Sequence, residues 1–151
     1  MKRAYSLVEL LVTMSILTLL AAFTVPTFQL ILAQYELSQT TTQVANFLRL
    51  TEQKTVTEQQ IYGITLTANA TTISQYIYNP TTSAKTIQTS FSLPVNTSIG
   101  AVNFSGNNDI TFSTAGSPST SGNFTILDTI RNRTQQIDIR PSGGIFISGE
   151  H

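Results

Sequence analysis

Residues 2–28, KRAYSLVELLVTMSILTLLAAFTVPTF, decide how the rest of the chain is read. Two cations, Lys2 and Arg3, precede a run in which Leu, Ile, Val, Ala, Phe and Met dominate, and no residue from Leu10 to Tyr35 is charged. A helix rises about 1.5 Å per residue, so roughly 20 such residues cross a hydrocarbon core about 30 Å thick. The basic pair holds the N-terminus on the cytoplasmic side. One residue interrupts the pattern: Glu9, just inside the run.

Several readings compete for this segment. The run exceeds the 7–15 residues of a secretory h-region and no convincing A-x-A site follows, which argues against a cleavable signal. A plain signal anchor explains the length and the flanking charges but is indifferent to Glu9. A local reading of Glu9 is the S-x-x-E capping box, Ser6-Leu7-Val8-Glu9, in which the carboxylate reaches back to the N-cap amide. A cap, however, needs nothing particular upstream.

The upstream residues are particular. Lys2-Arg3-Ala4 followed by Tyr5-Ser6-Leu7-Val8-Glu9-Leu10 resembles the type IV prepilin signature: a short basic leader, a small residue, an aromatic, and Glu fifth after the cut. Ala4 stands where the signature usually has Gly, and Tyr5 where it usually has Phe. Pro26 falls where pilins commonly interrupt their helix. The resemblance implies cleavage by prepilin peptidase between Ala4 and Tyr5 and methylation of the new Tyr5 amine. It implies that Glu9 meets the Tyr5 ammonium of a neighbouring pilin or pseudopilin subunit. It further implies membrane lipid and the inner-membrane assembly machinery as partners. The location it implies is a single pass through the cytoplasmic membrane, with the C-terminal domain outside the cytoplasm, and then a type IV pilus or a type II secretion pseudopilus. Pro26 removes a backbone donor and clashes with the Ala22 carbonyl, so a kink is expected there, with Thr24 and Thr27 available to the freed polar groups.

Beyond Phe28 the helical pattern continues. Leu37, Val44, Phe47, Leu48 and Leu50 recur near helical spacing among Gln, Thr and charged residues, predicting one helix from about Ser6 to about Thr57. The expected division is a leader at 1–4, a transmembrane and assembly helix at 5–34, its amphipathic continuation at 35–57, and a β-rich domain at 58–151. In that last part Tyr62, Ile64 and Leu66 alternate with small or polar residues. So do Ile87, Phe91 and Leu93, then Ile110 and Phe112, then Phe124, Ile126 and Ile130, and at the end Ile137, Ile139, Ile145 and Ile147. Period two with β-branched enrichment, punctuated by SPSTSG and RPSGG, predicts seven or eight strands in antiparallel hairpins. The fold class is therefore α+β, a long helix packed on a mostly antiparallel sheet or small sandwich. The segments DITFSTAG, GNFTIL and QQIDIRPSGGIFI resemble the GspH/FimT group of minor pseudopilins.

Composition removes most chemistry. There are no cysteines, hence no disulfide and no thiolate metal site, and the single histidine is His151. Asp109, Asp128 and Asp138 lack the spacing of a metal loop and read as solvated strand faces. Ser142-Gly143-Gly144 has no strand-to-helix context for a phosphate cradle. No enzyme, cofactor or metal is expected. Eight basic residues cancel eight acidic ones, and loss of the leader leaves 6 basic against 8 acidic. Arg131, Arg133 and Arg140 are candidates for DNA contact, as in a DNA-uptake minor pilin, but that charge balance argues against nucleic acid. The other alternative is a membrane-anchored extracellular β-domain that binds a ligand without polymerising.

Overall fold

The computed structural model describes residues 6–105 and 108–150. The chain divides into two compact units, Met1–Glu36 and Leu37–His151. One helix, α1, runs Leu7–Glu58, including Pro26, and opens with the Leu10 amide donating to the Ser6 carbonyl at 3.1 Å. It stops where Gln59 turns into the left-handed region at φ 53°, its side-chain amide donating to the Val56 carbonyl at 2.7 Å.

In the second unit α1 is followed by eight strands: β1 (Tyr62–Thr65), β2 (Thr72–Asn79), β3 (Ala84–Ser92), β4 (Thr97–Phe104), β5 (Asp109–Phe112), β6 (Gly122–Asp128), β7 (Arg133–Ile139) and β8 (Ile145–Glu150). They form two four-stranded sheets, in the orders β3-β2-β1-β5 and β4-β6-β7-β8, and every pairing is antiparallel. Two of these strands, β2 and β4, were not expected from alternation. Adjacent Gln75 and Tyr76 are both buried in β2, and β4 carries a bulge between Ile99 and Val102, so neither shows clean period two. Ile130, grouped with the β6 pattern by sequence, lies instead in the turn after β6 and is exposed.

A single core joins the two sheets to the second part of α1. Leu37, Val44 and Leu48 from the helix meet Ile64, Ile110 and Phe112 of one sheet and Phe124, Ile126 and Ile137 of the other. Buried helical positions recur at Leu37, Thr41, Val44, Leu48, Thr51 and Thr55, alternating steps of four and three that keep one face inward. Leu50, read from sequence as part of that stripe, falls outside it and is 56% exposed. The buried threonines donate back to carbonyls four residues earlier, Thr41 to Leu37 at 2.8 Å and Thr51 to Phe47 at 2.9 Å, so their hydroxyls cost little in the core. Gln75 in turn donates to the Thr51 hydroxyl at 2.7 Å, a polar tie between sheet and helix.

Gly63 has a specific packing reason. It pairs with Tyr76 across β1 and β2, and a Cβ there would lie 2.4 Å from the tyrosine ring. Without one, the ring lies across the glycine and is buried.

Candidate functional site

The first unit presents an apolar helix. Large hydrophobic side chains from Leu7 to Leu32 are exposed, and the segment is long and apolar enough to cross a membrane. Its hydroxyls from Thr13 to Thr27 suit lipid because they are satisfied within the helix. Thr13 donates to the Leu10 carbonyl (2.9 Å), Ser15 to Leu11 (2.8 Å) and Thr18 to Met14 (3.0 Å). Thr24 donates to Leu20 (2.8 Å) and Thr27 to Phe23 (3.0 Å). An unpaired hydroxyl in hydrocarbon costs several kcal/mol, which these bonds avoid. Thr24 and Thr27 flank Pro26 but bond to Leu20 and Phe23, not to the Ala22 carbonyl that the proline leaves without a donor.

Glu9 has no such bond. It is exposed in the first turn of α1. Among the described residues neither its carboxylate nor the Ser6 hydroxyl makes a capping hydrogen bond; Ser6 contributes only its backbone carbonyl, to Leu10. The capping-box geometry is thus not formed, and a carboxylate stands beside an exposed apolar surface with no partner among the described residues. Ala4 and Tyr5, the expected cleavage and methylation positions, lie outside the described residues, as do Lys2, Arg3 and His151.

The remaining candidates sit in the second unit. Arg131 and Arg133 flank the β6–β7 turn, whereas Arg140 follows the far end of β7, about 20 Å away at 3.3 Å per strand residue. Arg131 pairs with Asp128 at 3.7 Å, and the Arg140 guanidinium lies 4.3 Å from the Phe146 ring centre. The three arginines therefore do not converge.

The three aspartates are engaged rather than merely solvated. Asp128 is buried and accepts the Ile130 amide at 2.9 Å and the Arg131 amide at 3.3 Å, pinning the β6–β7 turn. Asp109 bridges Lys85 at 2.5 Å and Thr65 at 2.6 Å. Asp138 accepts from Gln136 at 2.7 Å and from the Ser148 hydroxyl. Spacing along the chain carries no trace of the cross-strand partners, Lys85 and Thr65 for Asp109 and Ser148 for Asp138. Among the described residues no cluster of three His, Cys, Asp or Glu side chains is placed to hold a metal.

A groove of about 430 Å³ lies between α1 and the β7–β8 turn, lined by Arg49, Glu52, Gln53, Val56, Gly143 and Gly144 among others. Arg49 spans it, donating to Asn46 at 3.1 Å and to the Ile145 carbonyl at 2.9 Å. Gly116 and Gly143, at φ 84° and 87°, bring two turns against the Glu52 carboxylate, where a Cβ on Gly143 would lie 2.9 Å from its oxygen. Burial raises the Glu52 pKa, with nearby Arg49 opposing the rise.

The prokaryotic N-terminal methylation motif matches residues 1–25. Curated proteins offer no significant match to the chain. Among solved structures, the minor pseudopilin EpsH from the type 2 secretion system of Vibrio cholerae superposes with a TM-score of 0.61 at 7% identity, covering 76% of this chain and 97% of that one. A second EpsH structure gives 0.62 at 8% identity, covering 79% and 97%. The type IV minor pilin FimU of Pseudomonas aeruginosa gives 0.59 at 14% identity, covering 78% and 91%. At such identities the likeness establishes the fold. The chain thus carries the methylation motif at its N-terminus and shares the fold of these minor pilins and pseudopilins.

Proposed function

We propose that this pilin-like chain is a minor pilin or pseudopilin subunit, cut after Ala4, methylated on the Tyr5 amine, and drawn from the cytoplasmic membrane into a type IV pilus or a type II secretion pseudopilus. Its partners are other pilin or pseudopilin subunits, prepilin peptidase and the inner-membrane assembly machinery. Its work is structural, not catalytic. The observation that carries this reading is Glu9: a carboxylate without a partner among the described residues, in an exposed apolar helix, inside a matched methylation motif.

Magnitudes say what such a group does. A charged side chain at the bilayer centre costs about 2.5–3.5 kcal/mol, less towards the interface. Two opposite charges about 4 Å apart attract by roughly 4 kcal/mol at an effective dielectric of 20. The terms nearly cancel, so a Glu9–Tyr5 ammonium pair between neighbours adds little net adhesion. Breaking it strands a charge in the bundle at about 3–5 kcal/mol. Methylation keeps the amine positive and so preserves the pair. Glu9 thus selects register while apolar packing supplies the attraction. Pro26 has a supporting part in this reading, as a weak point where α1 bends to fit the bundle.

DNA contact draws less support, because Arg131 and Arg133 sit at the opposite end of β7 from Arg140 and two of the three are already engaged. Mass spectrometry of the membrane-extracted protein tests the main reading. The expected N-terminus is methyl-Tyr5; Met1 still attached in cells with an active prepilin peptidase refutes it and favours a plain membrane anchor.

A further inference from the structure

Two turns at one end of the second unit present apolar side chains that the core does not use. Val95, in the turn before β4, is 89% exposed, and Ile130, in the turn after β6, is 63% exposed. With Ile87 they are the three most exposed of the described large hydrophobic side chains of that unit. The two turns are tied side by side, because the Thr129 amide and hydroxyl both donate to the Asn96 carbonyl, at 2.9 and 3.0 Å. Each turn is also held from within. The Thr97 amide and hydroxyl donate to the Pro94 carbonyl at 3.1 and 2.8 Å, and Asp128 accepts the Ile130 and Arg131 amides. Asn96 and Asn132 adopt left-handed φ values of 68° and 55°, a conformation asparagine tolerates better than most residues. Turns braced in this way keep Val95 and Ile130 facing outward.

The strand pairings locate these turns along α1. Strands β4, β6 and β7 align Thr97, Asp128 and Arg133 at one end and Phe104, Gly122 and Ile139 at the other. The second end lies beside Arg49, which donates to the carbonyl of Ile145, the partner of Ile139. Near the first end the Ile99 backbone is bonded to Asn69 and Ala70, just before β2. The far end of β2 instead adjoins Tyr62, whose hydroxyl donates to Glu58. The turns therefore lie away from Glu58 and towards Leu37. Strand β7 reaches back about 20 Å from Ile139 at 3.3 Å per residue, which matches the roughly 18 Å of helix between Arg49 and Leu37. Leu37 is the first residue of the second unit and follows directly on the apolar segment.

We propose that Val95 and Ile130 form a second membrane contact, seated in the headgroup and upper acyl region of the bilayer that holds the apolar segment. The proposal rests on the reading above for that anchoring alone. Covalent connection is what names lipid as the occupant: the Leu37 end of the unit begins two residues after Tyr35, where the uncharged run stops. The chemistry of the tip agrees. An apolar contact flanked by cations suits the bilayer interface, where aliphatic groups leave water and cations reach phosphate. Arg131 and Arg133 supply those cations within and beside the same turn, and Pro94 adds a further exposed apolar residue. A contact of this size is weak for a free domain and effective for a tethered one, whose local concentration at the surface is high.

The chain has no tryptophan, so an introduced one reports without background. Val95→Trp and Ile130→Trp, each made in the full chain, are reconstituted in phosphatidylcholine–phosphatidylglycerol vesicles whose acyl chains carry bromine near the headgroup. Ile87→Trp is the control, comparably exposed but opposite Tyr76, towards the Glu58 end. Relative to unbrominated vesicles, emission at 95 and 130 should fall at least twofold, and emission at 87 should hardly change. Adding Val95→Asp to the Ile130→Trp chain should remove most of the quenching, because a carboxylate beside it opposes entry into lipid. Equal quenching at all three positions, or none at 95 and 130, overturns the contact. So does emission at 95 that is blue-shifted yet unquenched, since protein rather than lipid would then cover the turn. Flotation of the same vesicles after an alkaline wash separates the two readings. Unquenched chain that floats with the lipid overturns the tip contact alone, whereas chain left behind overturns the membrane anchoring beneath it.

Discussion

Replacing Glu9 by alanine separates anchoring from assembly. Glu9 is exposed and has no partner among the described residues, so its loss leaves folding stability within about 0.5 kcal/mol of the parent. Membrane insertion does not suffer either, since removing a charge from an apolar helix lowers the insertion cost by up to about 3 kcal/mol. Assembly is where the change is felt. In the proposed assembly the Tyr5 ammonium of the next subunit would lose its counter-charge inside the bundle, at about 3–5 kcal/mol, which is at least a hundredfold in equilibrium. Co-expressing tagged Glu9→Ala with the parent chain, then measuring the tagged fraction in membranes and in sheared filaments, reads the two steps separately. Tagged protein should match the parent in membranes and be nearly absent from filaments. Glu9→Gln should behave like the alanine variant despite its similar size, because charge rather than shape is what the neighbour lacks. Incorporation of Glu9→Ala at the parent level would falsify the reasoning and leave this carboxylate with no part in assembly.

The globular unit yields further expectations. Leu48→Ala should cost about 2–5 kcal/mol, seen as a lower urea midpoint, because Leu48 is fully buried where α1 meets both sheets. Gly63→Ala should cost about 1–3 kcal/mol, since its Cβ would collide with the Tyr76 ring, and a Tyr76→Leu background should relieve most of that loss in a double-mutant cycle. Tyr76→Phe alone should be neutral or stabilising in thermal melts, because the buried Tyr76 hydroxyl has no hydrogen-bond partner among the described residues. Burial raises the Glu52 pKa above its ordinary 4.5, so the folded state holds that proton more tightly than the unfolded chain does. The penalty on the charged form is fully present above the folded pKa and disappears as pH falls below 4.5. Glu52→Gln should therefore raise Tm at pH 7, with the gain shrinking towards pH 4; a gain independent of pH would refute the desolvation account.

Local rules legible in the chain account for much of this protein. An uncharged run of membrane-spanning length, a basic leader and a carboxylate at a defined distance after a small residue all act through neighbours in sequence, so no fold is needed to read them. Period two likewise announced most strands, where one face is buried and the other wet. It failed at β2 and β4, where a bulge or adjacent buried residues break the alternation, and at Ile130, whose apolar side chain faces solvent; helical spacing failed in the same way at Leu50. Tertiary structure alone decided what depends on residues far apart: the sorting of eight strands into two sheets on one core, the bridging of Lys85 and Thr65 by Asp109, and the need for glycine opposite Tyr76. It also showed that Glu9 forms no cap with Ser6. The division has a physical basis. Hydrophobic transfer and helix geometry are properties of short stretches, whereas side-chain pairing and packing exist only once distant segments have been brought together.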